Sequence, residues 1–210
     1  MQTMGSSGRK YRLILTVHDL IYYRYPTPPR EFHLALRAMW RLYHLSWWPQ
    51  RLLLRGADAV VAVSETTKKL IQRFRLTTRP IFVVPNAADT PANRSVVPAS
   101  ERKKRLIYMG SFMPYKNVEN LLRAANLLPD WELHLMSRIA PAERVRLKSL
   151  APSAHVIFHN GCSDEEYSTA LRSASALVSA SRDEGFGIPL VEAMAQGTPV
   201  VAVSYTHLRA

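Results

Sequence analysis

A chain of 210 residues with 47% apolar residues has the composition of an ordinary soluble globular protein, long enough for one large domain or two small ones. It contains one cysteine, Cys162, so no internal disulfide can form, which fits a reducing compartment. No run of about 18 apolar residues is present and the given N-terminal residues show no signal-peptide core, so no membrane span is expected in this sequence and the expected location is cytoplasmic. The net charge of +12 is concentrated early: residues 1–98 hold 15 Lys/Arg against 5 Asp/Glu, and residues 99–210 hold 13 against 11. An anionic partner (nucleic acid, acidic lipid or a phosphorylated substrate) is one reading of that asymmetry; a set of solvated arginines is the other.

In chain order, RLILTV (12–17), ADAVVAV (57–63) and RPIFVVP (79–85) read as strands. Between the first two lies EFHLALRAMWRLYHLSWWPQRLLLRG (31–56), read as one helix. It places Trp40, Trp47 and Trp48 among Arg37, Arg41, Arg51 and Arg55, a mixture that suits an anionic membrane surface or, alternatively, a core face with solvated arginines. DTPANRSVVPASERKK (89–104) is the expected linker, dividing the chain into domains 1–98 and 99–202.

The strand pattern then resumes in RLIYMG (105–110), WELHLM (131–136), HVIFHN (155–160), SALVSAS (175–181) and TPVVAV (198–203). Helical periodicity fills the gaps. NVENLLRAANLL (117–128) aligns Val118, Leu121, Leu122, Ala125 and Leu128 on one face. PAERVRLKSL (141–150) opens on proline, and SDEEYSTALRSA (163–174) opens on a Ser163/Glu166 capping box. PLVEAMAQG (189–197) starts at Pro189 and stops at Gly197. Strict alternation of strand and helix means α/β architecture with parallel, doubly wound sheets, whose ligands bind beyond the carboxyl ends of the strands. The loops to inspect are therefore 110–117, 159–164 and 181–192.

In the last of these, Glu184 and Glu192 bracket a turn containing Gly185, Phe186 and Gly187. Two carboxylate acceptors beside backbone donors at a helix N-terminus suit a polyol such as a sugar, with the glycines allowing close backbone approach. Glu192, placed in the first helical turn, suits vicinal ribose hydroxyls or simply the helix dipole. In GSFMPYKNVENLL, Gly110 ends a strand and Lys116 leads into a helix, which makes a phosphate site or a solvated surface lysine. Neither GxxxxGK[ST] nor a strand-borne GxGxxG is present, which argues against a P-loop enzyme and an NAD-dependent oxidoreductase.

The segments VHDLIYYRYP, ADAVVAVSETTKKLI, IFVVPNAAD, GSFMPYKNVENLL and EGFGIPLVEAMAQGTPVVA, in this order, resemble glycosyltransferase family 4, of the GT-B fold, over roughly residues 12–202. The resemblance implies two facing Rossmann-like domains, an acceptor side first and a nucleotide-sugar side second. It also implies a retaining transfer that uses no metal or other cofactor, consistent with the absence of DxD. It assigns His18 and Glu184 to the donor sugar, Glu192 to the ribose and Lys116 to the diphosphate. Gly110, Ser111, Gly185, Phe186 and Gly187 would line the donor, with Asn160 and Gly161 framing the base. Where the family often has arginine this sequence has Ser111, a substitution that resembles mannosyltransferase-like members and leaves phosphate binding more to Lys116, so the expected donor is GDP-mannose or a UDP-sugar. The expected acceptor is a glycan or a lipid-linked carrier, with peripheral contact at an anionic membrane's inner face. A basic, non-catalytic module for nucleic acid or membrane is the alternative, although no nucleic-acid-binding motif is visible and nucleic acid is not the expected partner. The terminal VSYTHLRA departs from the family pattern and back-translates to resemble a sequencing adaptor. Residues 203–210 are therefore expected to be an artefact, both domains incomplete and the chain an inactive fragment.

Overall fold

The computed structural model describes residues 10–29, 32–88 and 96–203. The chain forms two compact units. The first comprises residues up to Asn86 together with Glu184–Phe186; the second runs from Ala87 to Asp183 and resumes at Gly187. Of residues 203–210, expected to be an artefact, only Val203 is described; 204–210 and the centre of the expected linker, 89–95, lie outside the described residues. The linker's later part is ordered: Ala99–Glu101 is a 3₁₀ turn and a strand begins at Lys103.

In the first unit, β1 (Ile14–Val17), β2 (Ala59–Ala62) and β3 (Ile81–Val83) form a parallel sheet in the order β1-β2-β3. Val60 and Ala62 are buried with Val17, Leu20, Leu54, Ile71 and Leu76. The helices are α1 (Ile21–Arg24), α2 (Leu34–Leu45), α3 (Trp48–Arg55) and α4 (Glu65–Arg73). The single helix expected over 31–56 is thus two. Ser46 is extended, and Pro49, in the first turn of α3, has no N–H with which to continue the ladder from α2. The three tryptophans also part company. Trp47 stacks on Phe74 at 4.0 Å and on Tyr23 at 4.7 Å, which places it against the core rather than at a membrane. Trp40 meets Tyr22 edge-on at 5.4 Å, and Trp48 is 65% exposed.

In the second unit, β4 (Lys103–Tyr108), β5 (Glu132–Leu135), β6 (His155–Phe158), β7 (Ala174–Ser179) and β8 (Val200–Ala202) form an all-parallel sheet in the order β6-β5-β4-β7-β8. Its helices are α5 (Val118–Ala125), α6 (Pro141–Lys148), α7 (Asp164–Ser173) and α8 (Ile188–Ala195). Period-two alternation separates two cores. Tyr108, Leu133, Leu135 and Val178 pack with Leu122 and Leu147 of α5 and α6, whereas Ile107, Met136 and Leu177 pack with Tyr167, Leu171, Leu190 and Ala193 of α7 and α8. The Ser163/Glu166 capping box is formed in both directions. Arg102 closes the far edge by donating to the carbonyls of Arg172, Ala174 and Gly197.

One buried histidine in the second unit is joined by a polar chain to the surface. His134, 4% exposed, contacts Glu132 Oε2 through Nε2 at 2.9 Å and His159 Nε2 through Nδ1 at 2.8 Å, while Arg105 holds the same carboxylate at 3.1 Å. One proton between the imidazoles satisfies their contact; protonating both rings would set two N–H groups face to face. Burial holds the His134 pKa below the ordinary histidine value; the positive charges of Arg105 and His159 add to this and Glu132 opposes it. The folded state therefore takes up this proton less readily than the unfolded chain. The associated stability is full above the unfolded value of about 6.5 and is lost as pH falls below it towards the lowered folded value. Glu132, also lowered, adds losses only at more acid pH, below about 4.5. We predict that the chain melts at lower temperature at pH 5 than at pH 7, and that His134→Gln removes part of that difference. An unchanged difference in the variant would show that His134 is not its source.

Candidate functional site

The strand order of the second unit reverses between β4, first in sequence, and β7, fourth. This is the topological switch point at which doubly wound sheets bind ligands. Two loops leave the sheet there, 109–117 after β4 and 180–187 after β7. They are tied at three points: the Asn117 side-chain amide donates to Ala180 O at 3.1 Å, the Arg182 backbone N–H donates to Tyr115 O at 2.8 Å, and the Arg182 guanidinium lies 3.5 Å from Asn117 Oδ1.

Within the first loop, Gly110 N–H donates to Ser137 Oγ at 2.9 Å and the Tyr108 hydroxyl donates to Ser111 O at 2.6 Å, which fixes the backbone around Ser111. Pro114–Lys116 forms a 3₁₀ turn, so Lys116 sits just before α5 rather than within its first turn. Its ammonium lies 5.5 Å from the Tyr115 ring centre. Asn117 is left-handed, with φ 56° and ψ 33°, and its side chain does not cap α5: the amide N–H donates to Ala180 O, and Oδ1, the atom that would accept from the helix, is approached by the Arg182 guanidinium at 3.5 Å. Asn117 puts no side-chain cap on α5, so the positive end of the helix faces what lies beyond it.

After β6, Asn160 is left-handed and its Oδ1 accepts from Ile139 N–H at 3.0 Å, while Gly161 N–H donates to Met136 O at 3.0 Å. These bonds pin the loops after β5 and β6 to each other. A Cβ on Gly161 would sit 2.9 Å from Arg138 Cγ, so the exposed Arg138 lies across the glycine. Sequence reasoning singled out neither Arg138 nor Arg182; nothing in a lone loop arginine signals which distant residue it will meet.

The loop after β7 divides. Glu184, Gly185 and Phe186 belong to the first unit, as does His18; Gly110, Ser111, Lys116, Asn160, Gly161, Gly187 and Glu192 belong to the second. Gly185 serves a close approach, although of protein rather than ligand. A Cβ there would collide with the His18 carbonyl oxygen and come 2.8 Å from Asp19 Cβ, and Gly185 O accepts from Ser64 Oγ at 2.8 Å. His18 and the Glu184–Phe186 segment are thus brought together, backbone against backbone. Gly187 takes φ 85°, the left-handed conformation that starts α8.

Glu192 is not in the first turn of α8. The helix begins at Ile188, so Glu192 stands in the second turn, where the dipole holds a carboxylate less well. Its neighbour is Tyr167. Burial first, and then the negative charge of Glu192, raise the Tyr167 phenol above its ordinary pKa. The Tyr167 hydroxyl is buried without a hydrogen bond of good geometry among the described residues, so the carboxylate is close without being a well-aligned acceptor. Among the described residues no three His, Cys, Asp or Glu side chains gather as metal ligands.

The family model "Glycosyl transferases group 1" matches residues 89–209, more than half of the chain, and the model "Glycosyltransferase Family 4" matches residues 3–91. The chain belongs to the group 1 glycosyl transferases. An MMP alpha-(1->4)-mannosyltransferase of Mycolicibacterium hassiacum is 32% identical over 206 residues, covering 91% of this chain and 48% of its own. The O-antigen chain mannosyltransferase RfbU of Salmonella typhimurium is 25% identical over 200 residues, covering 89% and 50%. Among solved structures, sucrose-phosphate synthase from Thermosynechococcus elongatus superposes with a TM-score of 0.72 at 25% identity, over 93% of this chain and 51% of that one. The chain thus spans about half the length of the relatives it matches. The fold is of GT-B type, with Rossmann-like parallel sheets in both units.

In this group 1 glycosyl transferase chain the placement of Gly185 gives a direct test. Gly185→Ala should cost about 1–3 kcal/mol, because the obstruction is backbone and cannot swing aside. Chemical denaturation measures it, and a variant as stable as the wild type would show that the His18 backbone does not require the glycine.

Proposed function

We propose that the chain carries the donor machinery of a retaining glycosyltransferase that transfers a hexose, mannose by preference, from a nucleoside diphosphate sugar to a glycan or lipid-linked acceptor. The observation that carries this reading is the switch point between β4 and β7, where Lys116 precedes an uncapped helix N-terminus. A cation and free amide dipoles at one point suit a diphosphate, and they offset the charge that builds on it as the glycosidic bond breaks.

In this reading Glu192 accepts from the ribose hydroxyls and Glu184 from the sugar, with His18 a second contact to the sugar. Gly110, Ser111, Gly185, Phe186 and Gly187 line the donor with backbone groups, and the pinned turn at Asn160 and Gly161 frames the base. Neither a metal nor an organic cofactor is needed in this scheme, because the cationic groups are the protein's own. Two of the relatives are named mannosyltransferases, which supports mannose and GDP-mannose as donor, with a UDP-sugar second. Domain limits of 1–98 and 99–202, and little turnover by the 210-residue chain alone, are part of the same proposal.

Titration calorimetry of the chain with GDP and UDP, in EDTA, tests the donor reading. Lys116→Ala should weaken the preferred nucleotide by about 2 kcal/mol, roughly thirty-fold, as expected for loss of one charge-assisted phosphate contact. Failure of the wild type to bind either nucleotide, or binding that appears only with divalent metal, would sink it.

The acceptor side is proposed to work at an anionic membrane, as a peripheral protein at its cytoplasmic face. Among the described residues no helix is long and apolar enough to cross a membrane. The supporting observation is that α2 buries none of its residues and exposes Leu34, Met39, Leu42, Tyr43 and Leu45, with Trp48 and Leu52 exposed on α3 and arginines interleaved. Wild-type chain should float with anionic liposomes and not with neutral ones, and Leu42→Ser with Trp48→Ala should lose flotation. Trp47 is left intact in this test because it packs in the core. Equal flotation by the double variant would remove the role of this surface.

A further inference from the structure

We infer that Arg182 is a second cation for the donor's diphosphate, acting beside Lys116 at the switch point of the second unit. The inference rests on the nucleotide-sugar reading and adds a phosphate-binding residue to it.

The argument begins with charge. The diphosphate of a nucleotide sugar is esterified at both ends and carries about two negative charges near neutral pH; the nucleoside diphosphate released from it carries about two to three, its terminal phosphate having a second pKa near 6. Lys116 supplies one positive charge, and an uncapped helix N-terminus contributes roughly half of one. The loop between Gly110 and Met113 contains no cationic side chain. On these groups alone the diphosphate would be under-compensated where its oxygens leave water.

Arg182 is positioned to make up the difference. Its backbone N–H is bonded to Tyr115 O at 2.8 Å, one residue before Lys116. Its guanidinium reaches Asn117 Oδ1 at 3.5 Å, one residue after it. The arginine therefore flanks the 3₁₀ turn that presents Lys116 and lies at the N-terminal end of α5. The side chain is exposed, and among the described residues no carboxylate pairs with the guanidinium. The long single contact with a neutral amide leaves most of its five N–H donors unspent. A planar fork of donors held beside a lysine and a helix N-terminus matches a phosphate with several oxygens to bind.

Asn117 explains how the position is held. An asparagine at this place would ordinarily accept from the first turn of the helix. Here it is left-handed and bridges Ala180 O and Arg182 instead. One side chain thereby leaves the helix end uncapped and steers a cation towards it.

The experiment is calorimetry on the full 210-residue chain with GDP and, separately, guanosine, at matched ionic strength, together with thermal unfolding. Arg182→Ala should weaken GDP about tenfold or more and leave guanosine within about twofold, because only the phosphates are lost as partners. Arg182→Lys should recover part of the GDP affinity by restoring charge. Arg182→Gln, which keeps a donor for Asn117 without the charge, should bind GDP as weakly as the alanine variant; it decides the matter if alanine impairs folding. A GDP affinity unchanged in Arg182→Gln, or an equal loss for GDP and guanosine, overturns the assignment of Arg182 and leaves the donor reading standing. A folded wild type that binds neither GDP nor UDP overturns the donor reading and this inference with it.

Discussion

Parallel pairing is the constraint from which the rest of the second unit follows. Each of its five strands runs in the same direction, so every loop that leaves a carboxyl end emerges along one edge of the sheet. Parallel strands also require a crossover between them, and the helices that make the crossovers bury both faces. Helix N-termini then return to the same edge as the strand ends. Where the order reverses, between β4 and β7, the two crossovers leave to opposite faces and the edge opens. Lys116, Asn117 and Arg182 stand at that opening because the chain topology places their loops there, although 65 residues separate Asn117 from Arg182 in sequence.

How much of this could be read from the sequence depended on the range of the physics involved. Strands such as SALVSAS and the capping box at Ser163 are local, and their positions agree with the structure to within one or two residues. The break between α2 and α3 was hidden because the aromatic and basic pattern continues across it, while Pro49 is also a favourable first-turn residue and so carries two opposite meanings. Trp47 and Trp48 are adjacent and chemically identical, yet one stacks on Phe74 and the other faces water. That choice is made by which direction α3 leaves, which composition does not encode.

The glycines and carboxylates of the 184–192 stretch show the same division. The residue types at these positions signalled close approach and hydroxyl binding, but the partners of Gly185 proved to be His18 and Asp19. A missing Cβ says that something comes near without saying what. For Glu192 the helix start at Ile188 decides against a dipole role, since the carboxylate lies beyond the first turn. Its nearness to the buried Tyr167 phenol gives it a neighbour from α7 instead.

Ser64 illustrates how a single hydroxyl can couple two elements of the first unit. It caps α4 by accepting from Thr67 N–H at 3.1 Å, and it lies 3.1 Å from Thr67 Oγ1 and 2.8 Å from Gly185 O. A serine hydroxyl has one proton, so it cannot donate to both oxygens. The shorter contact assigns the proton to the Gly185 carbonyl, which leaves the Thr67 hydroxyl to act as donor back to Ser64. The cap and the loop contact are then cooperative: donation to Gly185 makes the serine oxygen a better acceptor for the two donors of Thr67. The start of α4 and the seat of the Glu184–Phe186 segment are in this way one hydrogen-bonded unit, and the position of Glu184 is set by the same serine that begins a helix of the first sheet's cover.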